Sequence, residues 1–131
     1  MTNRFIGILC DGSVSDAYAS AVAKNLSSEG CLEQNIRIKY VPSADEVPLG
    51  VLFFAEYTDV DAVIVLTQNA LPDYIKKSVA ELQIQWNMPV IFGTGADFRS
   101  VALRVESMIA LQDEMERESD ELANPDRRSI N

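Results

Sequence analysis

Residues 62–66 read AVIVL, with no polar side chain between Asp61 and Thr67, and this run decides the fold. Five residues are too few for a packed helix, and Val63, Ile64 and Val65 are β-branched, so the run predicts a strand buried on both faces. Strands of that kind lie in parallel sheets covered by helices on both sides. The downstream chain supplies such helices. Thr67 to Leu71 is a turn, and a helix is expected from about Pro72 to Asn87, with Ile75, Val79, Leu82 and Trp86 near helical spacing. Pro89 to Gly93 (PVIFG) is another strand. A last helix starts near Ala96 or Asp97, where Asp97 can cap it, and carries Val101, Val105, Met108, Ile109 and Leu111.

Upstream the pattern repeats. Arg4 to Cys10 (RFIGILC) is an apolar strand, followed by the turn residues Asp11, Gly12 and Ser13. The next helix is expected to bury Ala17, Ala21, Val22 and Leu26 and to stop at Gly30, where a left-handed conformation is free of strain. Ile36, Ile38 and Tyr40 alternate with Arg37 and Lys39, as in a more exposed strand. Val41 to Gly50 (VPSADEVPLG) turns into a helix that Ser43 or Asp45 can cap, with Pro48 in its first turn and Val51, Leu52, Phe53, Phe54 and Tyr57 carrying it to Asp59. Four strands alternating with helices imply right-handed crossovers and a three-layer α/β sandwich.

A chain of 131 residues, 47% hydrophobic, suits one domain with a core of ordinary size. Residues 1–122 form that domain in this reading, and 123–131 an exposed tail behind an acidic helix end. The net charge of −9 excludes a phosphate-backbone footprint and docking on an anionic membrane, so neither nucleic acid nor membrane is expected as a partner. No apolar stretch approaches the roughly 18 residues of a membrane span, and the first residues show no signal-peptide pattern. Cys10 and Cys31 read as small buried hydrophobes in a reducing, cytoplasmic setting. The chain has no histidine, which removes the usual general acid/base and the commonest zinc ligand.

In parallel sheets, ligands bind where loops gather at the carboxyl ends of the strands. Those loops are Asp11–Ser13, Pro42–Glu46, Thr67–Leu71 and Thr94–Asp97, and none contains a lysine or arginine. An anionic ligand would rest on helix N-termini, unless Arg99 reaches back from the last helix. CDGSVSD has one glycine and no lysine, which meets neither phosphate-loop pattern. Asp11 and Asp16 read as cap and turn acids in preference to a magnesium pair, so no metal is expected. Glu46 is the acid of most interest: it is either a ligand group at the rim or a first-turn residue favoured by the helix dipole.

The order of motifs resembles the 6,7-dimethyl-8-ribityllumazine synthase family, across roughly residues 4–111. RFIGIL is similar to its opening strand, YVPSADEVPL (40–49) to its VPGAFEIPL segment, DVDAVIVL (59–66) to YDAVIALG, Asp73-Tyr74-Ile75 to DYV, and residues 89–93 to PVIFG. The resemblance implies a flavodoxin-like sheet in the order 2-1-3-4, a cofactor-free condensation in riboflavin biosynthesis, and pentameric rings with sites between subunits. It also implies ligand-binding candidates: Ser13, Ala44, Asp45, Glu46, Thr67, Gln68, Asn69, Phe92 and Gly93.

The departures from the family bear on the same positions. Ser13 stands where the family stacks its ring on an aromatic, and Asp45 stands in place of the aromatic of AFEI. The glycine-rich anion loop with its histidine is cut to Thr67–Pro72, and the arginine segment after PVIFG is missing. Three functions follow as expectations: an oligomeric structural or binding protein without the condensation activity, an active synthase with an atypical site, or a carboxylate-based enzyme or small-ligand binder at the same rim. No catalytic residue is assigned. Assembly is expected as a closed homo-oligomer, a pentamer in preference to others, with Phe53, Phe54 and Tyr57 in excess of what the sheet must cover. Met1 to Asn3 make too short an arm for a larger shell.

Overall fold

The computed structural model describes residues 3–94 and 98–123. Four strands, β1 (Ile6–Cys10), β2 (Ile36–Tyr40), β3 (Ala62–Thr67) and β4 (Val90–Thr94), alternate with four helices, α1 (Asp16–Ser28), α2 (Val47–Tyr57), α3 (Asp73–Trp86) and α4 (Phe98–Ala123). All strand pairs are parallel and the sheet order is β2-β1-β3-β4, the expected flavodoxin-like topology.

Every residue of β1 and β3 is buried, because successive side chains feed opposite layers. Ile6, Ile8, Cys10, Ala62, Ile64 and Leu66 share one core with α1 and α4. Leu9, Val63 and Val65 share the other with α2 and α3. β2 lies at one edge and is exposed except at Ile36, as its alternation predicts.

Two glycines let α2 sit close to the sheet. A Cβ at Gly7 would lie 2.8 Å from the Phe54 ring, and one at Gly50 would lie 2.7 Å from both Leu9 methyl groups. Phe54 is therefore core and not surplus, a correction to the expectation drawn from its crowded helix. Phe53 packs edge-on against Phe54 at 5.7 Å, with the Lys39 ammonium 4.7 Å from its ring centre. The exposed stripe of α2 is Leu49 and Tyr57 with half-buried Phe53 between them, at four-residue spacing.

The buried face of α1 is Ala19, Val22 and Leu26, and Ala17 is exposed. Val22 and Leu26, the bulkier residues, fix the face, and Ala19 rather than Ala17 lies one turn before Val22. Gly30 stops this helix as expected, at φ 101°, with the Cys31 and Gly30 amides bonded back to the Leu26 and Ser27 carbonyls at 3.0 and 3.1 Å. Asn87, at φ 48°, ends α3 in the same way. Trp86 is more than a third exposed and contributes little to the core. The acidic stretch beyond Asp113 continues α4 as helix to Ala123, so α4 is 26 residues, about 39 Å, and far outreaches the strands. The expected cap at Ala96 or Asp97, the tail at 124–131, and Met1 and Thr2 lie outside the described residues.

Candidate functional site

The loops at the carboxyl ends of β1, β2 and β3 converge, and the backbone draws them close. The Val41 amide donates to the Cys10 carbonyl at 2.8 Å, and the Asp11 amide to Leu66 at 3.3 Å. A Cβ at Gly12 would fall 2.6 Å from the Pro42 carbonyl oxygen, so only glycine fits between these loops. Two connections are short: β3 ends at Thr67 and α3 begins at Asp73, and β4 ends at Thr94 with α4 beginning at Phe98.

The polar candidates are mostly bonded to one another or to nearby backbone. Ser13 donates its hydroxyl to Asp11 Oδ1, which also accepts the Ser13 amide at 3.0 Å, and the Gln68 amide donates to Ser13 Oγ at 3.2 Å. Ser13 and Gln68 are thus brought together as a clasp between the first and third loops. Thr67, buried, donates its hydroxyl to the Asn69 carbonyl at 2.6 Å. The side chains of Gln68 and Asn69 are exposed.

Ala44, Asp45 and Glu46 form a single 3-10 turn ahead of α2. Glu46 Oε2 accepts both the Ser43 amide, at 3.0 Å, and the Ser43 hydroxyl. Ser43 caps this 3-10 turn, with Glu46 closing it, whereas the N-cap of α2 itself is Glu46 and neither Ser43 nor Asp45, a correction to the expected cap. Asp45 accepts the Tyr74 hydroxyl at 2.9 Å, which raises the tyrosine pKa. Ala44 is half-buried against the α2/α3 core.

Phe92 and Gly93 face opposite layers. Phe92 packs in the α2/α3 core, whereas the missing Cβ of Gly93 faces Val101 and Leu66 of the opposite layer, at 2.8 and 3.0 Å. Gly93 makes room for α4, and the Phe92 carbonyl accepts from Arg104 at 2.8 Å.

One rim pair did not emerge from the sequence. Tyr40 donates its hydroxyl to Asp16 Oδ1 at 2.7 Å, a bond that pushes the Tyr40 pKa up to about 12. Its signal was the position of Tyr40 as the last residue of a strand, where the side chain meets the first turn of α1. The rim thus carries Asp11, Asp16, Asp45 and Glu46, and no described lysine or arginine lies on these loops. The field there favours neutral or cationic groups and opposes a phosphate. Arg99 is exposed on α4. Among the described residues no three metal-ligating side chains gather. The thiol of Cys10, beneath the rim, is pushed up to about 12 by burial and the nearby Asp11 and Asp16 charges, which leaves it inert at neutral pH.

The sequence that builds this fold is similar to those of relatives of known name. The chain is 29% identical over 92 residues to the 6,7-dimethyl-8-ribityllumazine synthase of Bacteroides fragilis, covering 63% of this chain and 64% of that protein. It is 29% identical over 89 residues to the synthase of Desulfosudis oleivorans, covering 61% and 57%. No family model matches the chain. The chain is similar to these two lumazine synthases, and its match spans less than two thirds of the length of either.

Proposed function

We propose that the chain is a lumazine-synthase-like protein that lacks the riboflavin-pathway condensation and acts in the cytoplasm as an oligomeric structural or binding protein. The observation that carries this reading is the engagement of the rim: Ser13, Asp45, Glu46 and Thr67 are each held by a neighbouring group instead of being presented to a ligand. The absence of histidine and the acidic loops support it, since proton transfer and phosphate binding then lack their usual groups. Each charged hydrogen bond to a bound phosphate is worth roughly 1.5–3 kcal/mol, so losing several weakens binding by orders of magnitude.

The decisive experiment is the condensation assay with the butanone phosphate and ribityl-aminouracil substrates. The expected result is no turnover above the uncatalysed rate and no saturable binding of riboflavin. Saturable turnover at micromolar substrate would return the chain to the second reading, an active synthase with an atypical site. That reading draws support from the similarity to two named synthases and from a reaction that depends chiefly on positioning. For assembly, the exposed Leu49 and Tyr57 stripe supports a closed homo-oligomer, a pentamer in preference to others. Light scattering giving a mass near 14.5 kDa would refute it.

A further inference from the structure

The distal half of α4 is an independent feature, and its reading does not rest on the fate of the synthase site. Ile109 is the last α4 side chain in the core. The last ties to the body are Gln112, which donates to the Asn87 carbonyl at 3.1 Å, and Asp113, which pairs with Arg4. Beyond them, among the described residues, no side-chain hydrogen bond holds the helix. Ten further residues continue to Ala123, a length that is marginal as a helix alone in water.

A groove of about 500 Å³ runs between this half of α4 and the end of α3. Its walls are Ile84, Met88, Met108, Leu111 and Met115, with Glu116 at the rim. Ile84 is 80% exposed and Met115 58%, and Leu122 stands out beyond them. Met108, Leu111, Met115 and Leu122 fall at steps of three, four and seven, the seam of a helix that packs on another helix. Glu118 occupies the one seam position between Met115 and Leu122. Six acids and one arginine, Arg117, lie between Asp113 and Glu121.

We propose that this groove docks a basic amphipathic helix of a partner protein. The charge selects the occupant. A second copy would set Glu116 and Glu118 against their own equivalents, and each chain carries a net −9. A helix with lysine or arginine beside its apolar stripe matches both the seam and the flanks, with one cation opposite Glu118. The seam from Met108 to Leu122 spans about 21 Å, so the partner helix makes about four turns. Methionines at two seam positions adapt to differing apolar anchors.

The test uses a fluorescent 16-residue peptide with leucine at seam positions and lysine elsewhere, and a control with glutamate for lysine. The lysine peptide should bind one-to-one and saturably, and weaken as salt rises. Met115→Asp should weaken binding at least tenfold, although it adds a negative charge that attracts the peptide. Ile84→Asp, on the opposite wall, should do the same, and Glu118→Gln should weaken it severalfold. Circular dichroism checks that each variant keeps its fold. No binding of the lysine peptide, equal binding of the glutamate peptide, or unchanged binding to both aspartate variants overturns the proposal. So does a dimer of the free protein that Met115→Asp dissociates, which would make the groove a contact between copies.

Discussion

The strand bodies and the loop rim above them are built from opposite kinds of contact. β1 and β3 are buried at every position, and what they touch comes from far along the chain: Gly7 meets Phe54, Leu9 meets Gly50, and Leu66 meets the space left by Gly93. At the rim the contacts are polar and many are local: Ser13 bonds Asp11, Ser43 bonds Glu46 and Thr67 bonds Asn69 within three residues. Beside them stand the longer-range Gln68–Ser13, Tyr40–Asp16 and Tyr74–Asp45 bonds. Non-local apolar contacts carry the fold, because each buried side chain contributes about 1.5–3 kcal/mol and lies where several elements meet. Local polar contacts of about 0.5–1.5 kcal/mol can be exchanged without disturbing it. A sheet of this kind can therefore persist while the polar rim above it changes.

The contrast breaks first at Phe54. Phe54→Ala should cost about 3–5 kcal/mol in urea unfolding, since the ring is buried between α2 and the sheet. Gly7→Ala alone should be destabilising by about 1–3 kcal/mol, because the added methyl has the ring 2.8 Å away. Combined with Phe54→Leu, it should cost less than the sum of the two single changes. Strict additivity would mean that the two residues are not packed as described.

Alkaline pH separates the two regions next. The Cys10 thiol, raised by burial from 9.0 to about 12, favours folding while it stays protonated. Its contribution is complete below pH 9, the unfolded value, and is lost as pH climbs through the folded value near 12. Stability should fall by on the order of 2–4 kcal/mol across that window. Tyr40, held by Asp16, adds a loss of the same sign from pH 10 upward. Cys10→Val should flatten the pH 9–12 slope even where it alters stability at neutral pH. A slope that is unchanged would place the titration elsewhere.

This division also explains what the sequence made legible. The strands, their parallel order and the pairing of helices with faces follow from apolar runs too short for helices and from crossovers of one hand. The register of α1 was harder, because Ala17, Ala19 and Ala21 are equivalent by type and only the contacts of Val22 and Leu26 choose among them. Phe54 looked surplus because nothing in the local sequence shows that Gly7, 47 positions earlier, leaves the cavity it fills. The acidic stretch past Asp113 was legible as a solvated helix end even though its apolar period fades, and α4 runs through it to Ala123. At the rim the residue types were readable and their partners were not. Glu46 as ligand or as cap could be decided only by seeing Ser43 donate to it. Tyr40 with Asp16, and Tyr74 with Asp45, are separated by 24 and 29 residues and left no motif.

Smaller effects belong to the rim. Ser43→Ala removes the residue that closes the turn before α2, and should cost about 1 kcal/mol, within the range for caps of 0.5–2 kcal/mol. Glu46→Gln should cost no more than Ser43→Ala, because the amide oxygen still accepts from the Ser43 backbone. Thermal unfolding of the two variants checks the ranking. A loss near that of Phe54→Ala would mean that Glu46 holds more than this turn together.

The smallest effect on stability, and the sharpest on chemistry, is expected at Asp45. Its carboxylate accepts the hydroxyl of Tyr74, and both side chains are exposed. The bond favours the protonated phenol, and the carboxylate charge opposes phenolate formation, so both causes raise the Tyr74 pKa. Asp45→Asn removes the charge and weakens the acceptor, and Tyr74 should then titrate at lower pH. Tyr40 should stay near 12, because its partner is Asp16 and not Asp45. With four tyrosines in the chain, one quarter of the phenolate absorbance step should move and the rest should not. The urea midpoint should not shift measurably, since the pair bridges α3 to the turn before α2 across open solvent. A moved midpoint would mean that this contact belongs with the core, and an unmoved titration would mean that the pair is not formed in solution.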